Sequence, residues 1–99
     1  LYGAKYDILI ANKAGKQRDF LATIAGKCCE SGDLLAENTL IQNPDVGDIL
    51  AVTATGAYNY SMASNYNRIP RPAVIMVDDN KSRVIIKRES LEDISKNDL

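Results

Sequence analysis

Short apolar runs separated by polar, turn-forming residues recur along this chain, and their lengths are those of strands rather than helices. Residues 7–11 form the first run, which contains two β-branched isoleucines, and residues 18–24 alternate imperfectly between apolar and polar positions. Residues 49–54 are almost continuously apolar and predict a strand that is buried on both faces. These three segments predict the strands of the first half.

Polar stretches lie between and after these strands. Residues 36–45 are polar and rich in turn formers, which predicts a loop. After Gly56, the residues Tyr58, Ser61, Met62 and Asn65 recur at helical spacing, which predicts a short helix. Two prolines in residues 68–72 then force an extended segment, because proline cannot continue a helix.

The last third predicts a hairpin followed by a helical turn. Residues 73–77 and 83–87 are strand-like and flank a polar loop of hairpin composition. Ser90 is expected to cap a short final helix, with Asp93 at the third helical position. Several short strands without long helices indicate a mainly β fold, an antiparallel sandwich or barrel, over residues 1–99.

Composition excludes several classes of function. Twelve basic and thirteen acidic residues give a net charge of -1, so the chain has no general attraction for nucleic acid or an anionic membrane. No apolar run approaches the ~20 residues that span a bilayer, and no signal-peptide pattern is present, so we expect a cytoplasmic protein. Two adjacent cysteines without any histidine make no recognisable zinc site and leave a thiol hydrolase without its usual base.

Residues 28–33, Cys-Cys-Glu-Ser-Gly-Asp, predict a reactive loop at a surface or cleft. Gly32 permits a positive φ angle, and the carboxylates of Glu30 and Asp33 resist burial without partners. A free cysteine has a pKa of about 8.5, so Cys29 would be mostly protonated at neutral pH and is suited to act as a general acid. Residues 56–67 hold three tyrosines and three asparagines, a density that suggests ligand contact.

Together these segments resemble the C-terminal part of the diaminopimelate decarboxylases, pyridoxal-phosphate enzymes that make lysine. CESGD, GDILAV, GAYNYSMASNYN and PRPAVIMVD occur in the family's order and spacing. Leu1-Tyr2-Gly3-Ala4 is similar to the end of the family motif R-P-x-L-Y-G-A, and residues 88–93 resemble its closing motif R-R-E-T-x-E-D. Because the chain begins inside the first motif, we expect it to be a fragment of a longer protein.

The resemblance implies a Greek-key antiparallel β barrel with one or two short helices, as the C-terminal domain of a two-domain, homodimeric enzyme. The missing N-terminal domain would be a (β/α)8 barrel that carries the Schiff-base lysine and the phosphate loop for pyridoxal 5'-phosphate. The fragment alone is therefore expected to be inactive, since no lysine here has the matching context. The full enzyme would convert meso-2,6-diaminopimelate into L-lysine and carbon dioxide.

The resemblance also implies roles for individual residues. Cys29 would reach the partner subunit's active site and protonate the substrate carbon after carbon dioxide leaves, whereas Cys28 occupies the variable position before it. Glu30 would bind a substrate ammonium group. Tyr58 would contact the cofactor phosphate and the substrate, and Tyr2 would contact a substrate carboxylate together with an arginine that lies before Leu1.

Two other interpretations remain open. The first is a sibling enzyme that decarboxylates another basic amino acid or carboxynorspermidine. Glu30 favours diaminopimelate, because the ornithine-specific branch of the family has aspartate after the cysteine. The second is a β-barrel binding module without enzymatic activity, which the small size of the chain would permit.

Overall fold

The computed structural model describes residues 3–99, which form six strands and two short α-helices, together with two 3₁₀ turns. The elements are β1 (Ile8–Ile10), β2 (Phe20–Ala25), β3 (Leu34–Ile41), β4 (Leu50–Val52), α1 (Gly56–Met62), β5 (Val74–Asp78), β6 (Lys81–Ile86) and α2 (Leu91–Ser95). The predicted mainly β fold with one or two short helices is confirmed. The described residues divide into two compact units between Thr55 and Gly56. None of their helices has the length and apolarity needed to cross a membrane.

The first unit contains two antiparallel strand pairs, β1 with β4 and β2 with β3. Its core consists of isoleucines contributed by three strands, namely Ile8, Ile10, Ile24 and Ile41. Ile8 and Ile10 share one face of β1 because successive side chains of a strand point to opposite faces. The fully buried Gln42 accepts a hydrogen bond at its Oε1 from the backbone N–H of Ile10, at 2.8 Å, and so satisfies a buried donor.

The strand β3 corrects a prediction, because residues 36–45 were expected to form a loop and the strand continues to Ile41. Its polar composition is overridden by pairing with β2, in which Ile41 lies opposite Phe20 and Leu40 opposite Leu21. The register shifts beyond Ala22, and Asn38 has a φ angle of 50°. Such an irregularity is typical of a β-bulge, which asparagine tolerates better than most residues.

The strand β4 is shorter and more exposed than its apolar sequence predicted. Only Leu50–Val52 forms the strand, and β1 is its sole strand partner in the described part of the chain. Leu50 is 46% exposed, and no residue of β4 is fully buried. The predicted burial on both faces is therefore wrong, because an apolar run does not reveal whether a second layer covers each face.

The second unit contains the predicted hairpin, formed by β5 and β6. Its two-residue turn consists of Asp79 and Asn80, whose φ angles are 47° and 56°. Two consecutive positive φ angles are the signature of a type I′ turn, which matches the twist of the flanking strands. The expected cap of α2 is also confirmed, since Ser90 and Asp93 form a reciprocal capping box with N···O distances of 2.8 and 3.1 Å.

An ion pair between Arg71 and Glu89 joins the segment before β5 to the segment after β6. Glu89 accepts hydrogen bonds from the backbone N–H and Nε of Arg71 and from Nδ2 of Asn65, all at 2.7 Å. The guanidinium of Arg71 lies 5.9 Å from the ring centre of Tyr60, which is within cation–π range. These contacts, led by the side-chain hydrogen bond from Arg71, lower the pKa of Glu89 from 4.5 to about 2.

This lowered pKa makes a prediction for acid unfolding. Because the carboxylate is favoured in the folded state, Glu89 stabilises the fold above pH 4.5, and this contribution is lost as the pH falls towards 2. We expect Glu89→Gln to reduce the pH dependence of the free energy of unfolding in this window, as measured by denaturant titrations at a series of pH values. Asp79→Asn, at the exposed hairpin turn, is the control. An unchanged slope in Glu89→Gln would show that the ion pair does not form in solution.

Candidate functional site

The candidate site is the loop of residues 26–33, here called the site loop, which connects β2 to β3. Its two ends are joined by a hydrogen bond from the backbone N–H of Gly26 to the carbonyl of Asp33, at 2.9 Å. A further bond runs from the N–H of Asp33 to the carbonyl of Glu30, at 3.1 Å. The loop therefore continues the antiparallel pairing of its strands and closes within eight residues.

Cys29 lies at the apex of a tight turn within the site loop. The N–H of Glu30 donates a hydrogen bond to the carbonyl of Cys28 at 2.8 Å, which makes Cys29 the central residue of a γ-turn. Its φ angle is not positive, so the turn is of the relaxed, inverse type. The residue is exposed, as predicted for a thiol held at a surface.

Cys28 has a different environment from its neighbour. Its side chain is half-buried, and burial, followed by the negative charge of Asp33 and a hydrogen bond to that carboxylate, raises the pKa of the Cys28 thiol. Cys28 is therefore held in its protonated form against the loop. The structure thus separates the two adjacent thiols into one that packs on the loop and one that faces outwards.

Glu30 presents its carboxylate beside the turn. Its Oε1 accepts a hydrogen bond from the backbone N–H of Gly32 at 2.8 Å, and the residue is exposed. This bond orients the carboxylate without burying it, so a cation can still approach. The two candidate residues Cys29 and Glu30 are thereby brought together on one exposed loop.

Tyr58 belongs to the second unit, where it lies on α1 and is 72% exposed. Gly56 begins the same helix, and apart from its chain neighbours and the backbone of its own helix, no described atom lies within 4 Å of the position that a Cβ would occupy there. The side chain of Tyr58 and the backbone at Gly56 are therefore each accessible. These features fit contact with a cofactor phosphate. Tyr2 lies outside the described residues, and its role remains a prediction.

The structure adds Gly26 and Gln42, which the sequence analysis did not single out. A Cβ on Gly26 would overlap both carboxylate oxygens of Asp33, so this glycine makes room for the carboxylate. Gln42 lies directly after β3 and binds β1, as described above. Neither residue belongs to an apolar or polar periodicity. The one signal in the sequence was that Gly26 lies two residues before Cys28.

Other possible sites in the described residues are weaker. An open groove of about 500 Å³ runs along β3 between residues 4–6 and 34–39, and it includes none of Cys29, Glu30 and Tyr58. Across residues 3–99, no group of three or more histidine, cysteine, aspartate or glutamate side chains could hold a metal ion. The site loop therefore remains the best candidate.

Comparison with known proteins identifies the family. Residues 1–56 match the model of the pyridoxal-dependent decarboxylase, C-terminal sheet domain. The chain is 54% identical over 99 residues to the diaminopimelate decarboxylase of Bacillus subtilis (strain 168), covering 100% of this chain and 23% of that protein. It is 53% identical over 91 residues to the enzyme of the same name from Bacillus methanolicus, covering 92% and 21% of the two chains.

The chain is also similar in structure to solved diaminopimelate decarboxylases. The diaminopimelate decarboxylase from M. jannaschii in co-complex with L-lysine is 32% identical, with a TM-score of 0.86 and coverage of 99% of this chain and 22% of that one. The diaminopimelate decarboxylase from Helicobacter pylori complexed with L-lysine is 35% identical, with a TM-score of 0.85 and coverage of 96% and 23%. The chain thus spans less than a quarter of the length of the curated relatives named above. It belongs to the family of pyridoxal-dependent decarboxylase C-terminal sheet domains.

Proposed function

We propose that this chain is the C-terminal part of a decarboxylase that uses pyridoxal 5'-phosphate to convert meso-2,6-diaminopimelate into L-lysine and carbon dioxide. The observation that carries the proposal is the exposed Cys29–Glu30 pair on the site loop of a chain that is 54% identical to a diaminopimelate decarboxylase. The names and L-lysine complexes of the solved relatives support the same substrate class.

Cys29 is the proposed general acid. When bound, pyridoxal phosphate supplies the electron sink that makes loss of carbon dioxide feasible. The protein must then deliver a proton to the substrate carbon, and we assign this role to Cys29, which lies at the exposed centre of the inverse γ-turn. A thiol is mostly protonated at neutral pH and yet acidic enough to transfer its proton, which suits this step.

Glu30 and Tyr58 are the proposed binding residues. The Glu30 carboxylate would hold the ammonium group at the distal end of diaminopimelate, because a charge-assisted hydrogen bond discriminates against substrates that lack this group. Tyr58 would donate a hydrogen bond from its hydroxyl to the cofactor phosphate and contact the substrate. Tyr2 is proposed to contact a substrate carboxylate.

The complete active site requires more than this chain. We propose an N-terminal (β/α)8 barrel that holds the cofactor and a homodimer in which the site loop of one subunit reaches the active site of its partner. The exposure of Cys29 and Glu30 supports this arrangement, since both residues are accessible to a second subunit. We also propose that the enzyme acts in the cytoplasm.

The proposal is tested with the full-length enzyme and added pyridoxal phosphate. Release of carbon dioxide is measured from meso-diaminopimelate and, at the same concentration, from ornithine, arginine and carboxynorspermidine. We expect diaminopimelate to have the highest kcat/KM and L-lysine to appear in equal amounts with carbon dioxide. A higher kcat/KM for another substrate would favour the sibling enzymes, and no activity on any of them would favour the binding module.

A further inference from the structure

We propose that Asp33 and Gly26 together position Cys29 for proton transfer. The Asp33 carboxylate binds the backbone N–H of Cys28 across the site loop, a contact here called the brace, and Gly26 leaves room for that carboxylate because it has no Cβ. This inference rests on the proposed function, in which Cys29 is the acid. Asp33 is a positioning residue here, because it acts through the backbone of the loop rather than on the substrate.

The hydrogen bonds of Asp33 reach both sides of the loop. Its Oδ2 accepts from the backbone N–H of Cys28 at 2.8 Å, and its own carbonyl and N–H bond to Gly26 and Glu30. Asp33, at the end of the loop, thus connects its start at Gly26 with the residues on both sides of Cys29. Asp33 is itself half-buried, so its carboxylate bond competes less with water than a fully exposed bond would.

Gly26 is needed for space rather than for backbone conformation. Its φ angle lies outside the left-handed region, so other residues could adopt its backbone conformation. A Cβ at this position, however, would overlap the carboxylate of Asp33. Any other residue at position 26 would therefore displace the carboxylate from the N–H of Cys28.

The peptide group before Cys29 is held through Cys28. The N–H of Cys28 is bound by Asp33, and its carbonyl accepts from Glu30. With both groups of Cys28 fixed, the γ-turn at Cys29 is defined, and with it the direction of the Cα–Cβ bond that carries the thiol. A misplacement of about 1 Å in a reacting group can lower the rate of an enzyme about 10²-fold.

The same carboxylate distinguishes the two thiols. Burial, followed by the negative charge of Asp33 and its hydrogen bond, raises the pKa of the half-buried Cys28 and so lowers the fraction of reactive thiolate. Loss of the Asp33 carboxylate should release Cys28 from the loop. The relative reactivity of the two cysteines therefore shows whether the contact between Asp33 and Cys28 is intact, and it can be measured without enzyme turnover.

The kinetic test uses Asp33→Ala, Asp33→Asn and Gly26→Ala in the full-length enzyme. We expect Asp33→Ala to lower kcat about 10- to 100-fold with little change in KM, because positioning affects the transition state more than substrate binding. Asparagine keeps an acceptor oxygen, so Asp33→Asn should recover most of the activity. Asp19→Ala, at an exposed aspartate before β2, is the matched control and should behave as wild type.

A double variant separates bracing from general destabilisation. Gly26→Ala should resemble Asp33→Ala, and the double variant Gly26→Ala/Asp33→Ala should be no worse than either single one, because removing the carboxylate also removes the overlap. Additive losses would contradict the proposal. Equal losses in Asp33→Asn and Asp33→Ala would also contradict it, since they would indicate that the charge of Asp33 acts elsewhere.

The second readout is the ratio of Cys28 to Cys29 alkylation by iodoacetamide, measured by fragment-ion mass spectrometry at a fixed pH. We expect this ratio to rise several-fold in Asp33→Ala and Gly26→Ala and to remain near wild type in Asp19→Ala. An unchanged ratio would overturn the brace. Because alkylation needs no turnover, the ratio still decides the question if the wild-type enzyme lacks decarboxylase activity and the proposed function itself fails.

Discussion

Replacing Cys29 by alanine in the full-length enzyme is expected to lower kcat about 10²- to 10⁴-fold, which is the usual contribution of a general acid. The binding of pyridoxal phosphate should be unaffected, because the thiol lies on an exposed loop and a proton donor acts on the transition state rather than the ground state. Steady-state kinetics and titration of the cofactor measure the two effects separately. The loss should therefore appear in kcat and not in cofactor affinity.

Cys28→Ala is the matched control for this result. Cys28 precedes Cys29 in the chain, but its thiol is half-buried and bound to Asp33, so it cannot serve the same site. Its replacement should cause a much smaller loss of kcat. If instead Cys29→Ala retained kcat within about twofold of wild type, the proton would have to come from another group.

Two inactive variants of the full-length enzyme are expected to restore each other's activity when their subunits exchange. One is Cys29→Ala, and the other lacks the Schiff-base lysine expected in the proposed N-terminal barrel. If the site loop serves the opposite subunit, each heterodimer contains one site with both lesions and one site with neither. Random exchange of equal amounts makes half of the dimers heterodimers, so about a quarter of all sites should be intact in a two-fold symmetric enzyme.

The control for this experiment is a mixture of Cys29→Ala with Asp33→Ala. Both lesions lie on the same loop, so every site of the heterodimer keeps one lesion and no additional activity should appear. Subunit exchange is verified independently with differently tagged chains. If exchange occurs and the first mixture remains inactive, the site loop serves its own subunit, and the proposed shared active site is wrong.

Several elements were predictable because neighbouring residues determine them. The Asp79-Asn80 turn forms where two polar residues that tolerate positive φ angles separate two apolar strands. The capping box of Ser90 and Asp93 also depends only on residues within one helical turn. In the same way, the turn-forming and charged residues of the site loop indicated an exposed thiol, and the thiol of Cys29 is exposed.

Other features were not predictable, because they depend on residues that are distant in the chain. The polar segment of β3 is a strand only because β2 supplies its hydrogen-bonding partners. The apolar run at β4 remains partly exposed because, within the described residues, its faces are not fully covered by a second layer. The pattern of residues along the chain indicates local conformational preference. It does not show which distant segment will pair with a strand's backbone or cover its faces.

The sequence by itself determined that this protein is built from short strands, that its final helix is capped, and that a cysteine lies on an exposed loop, since each follows from local backbone preferences and side-chain chemistry. Only the tertiary structure decided which of the two thiols faces outwards. The antiparallel pairing of β2 and β3 brings Gly26 against Asp33, and the resulting contact binds Cys28 to the loop and leaves Cys29 at the apex. Two adjacent cysteines thus differ because of contacts that only the closed loop creates.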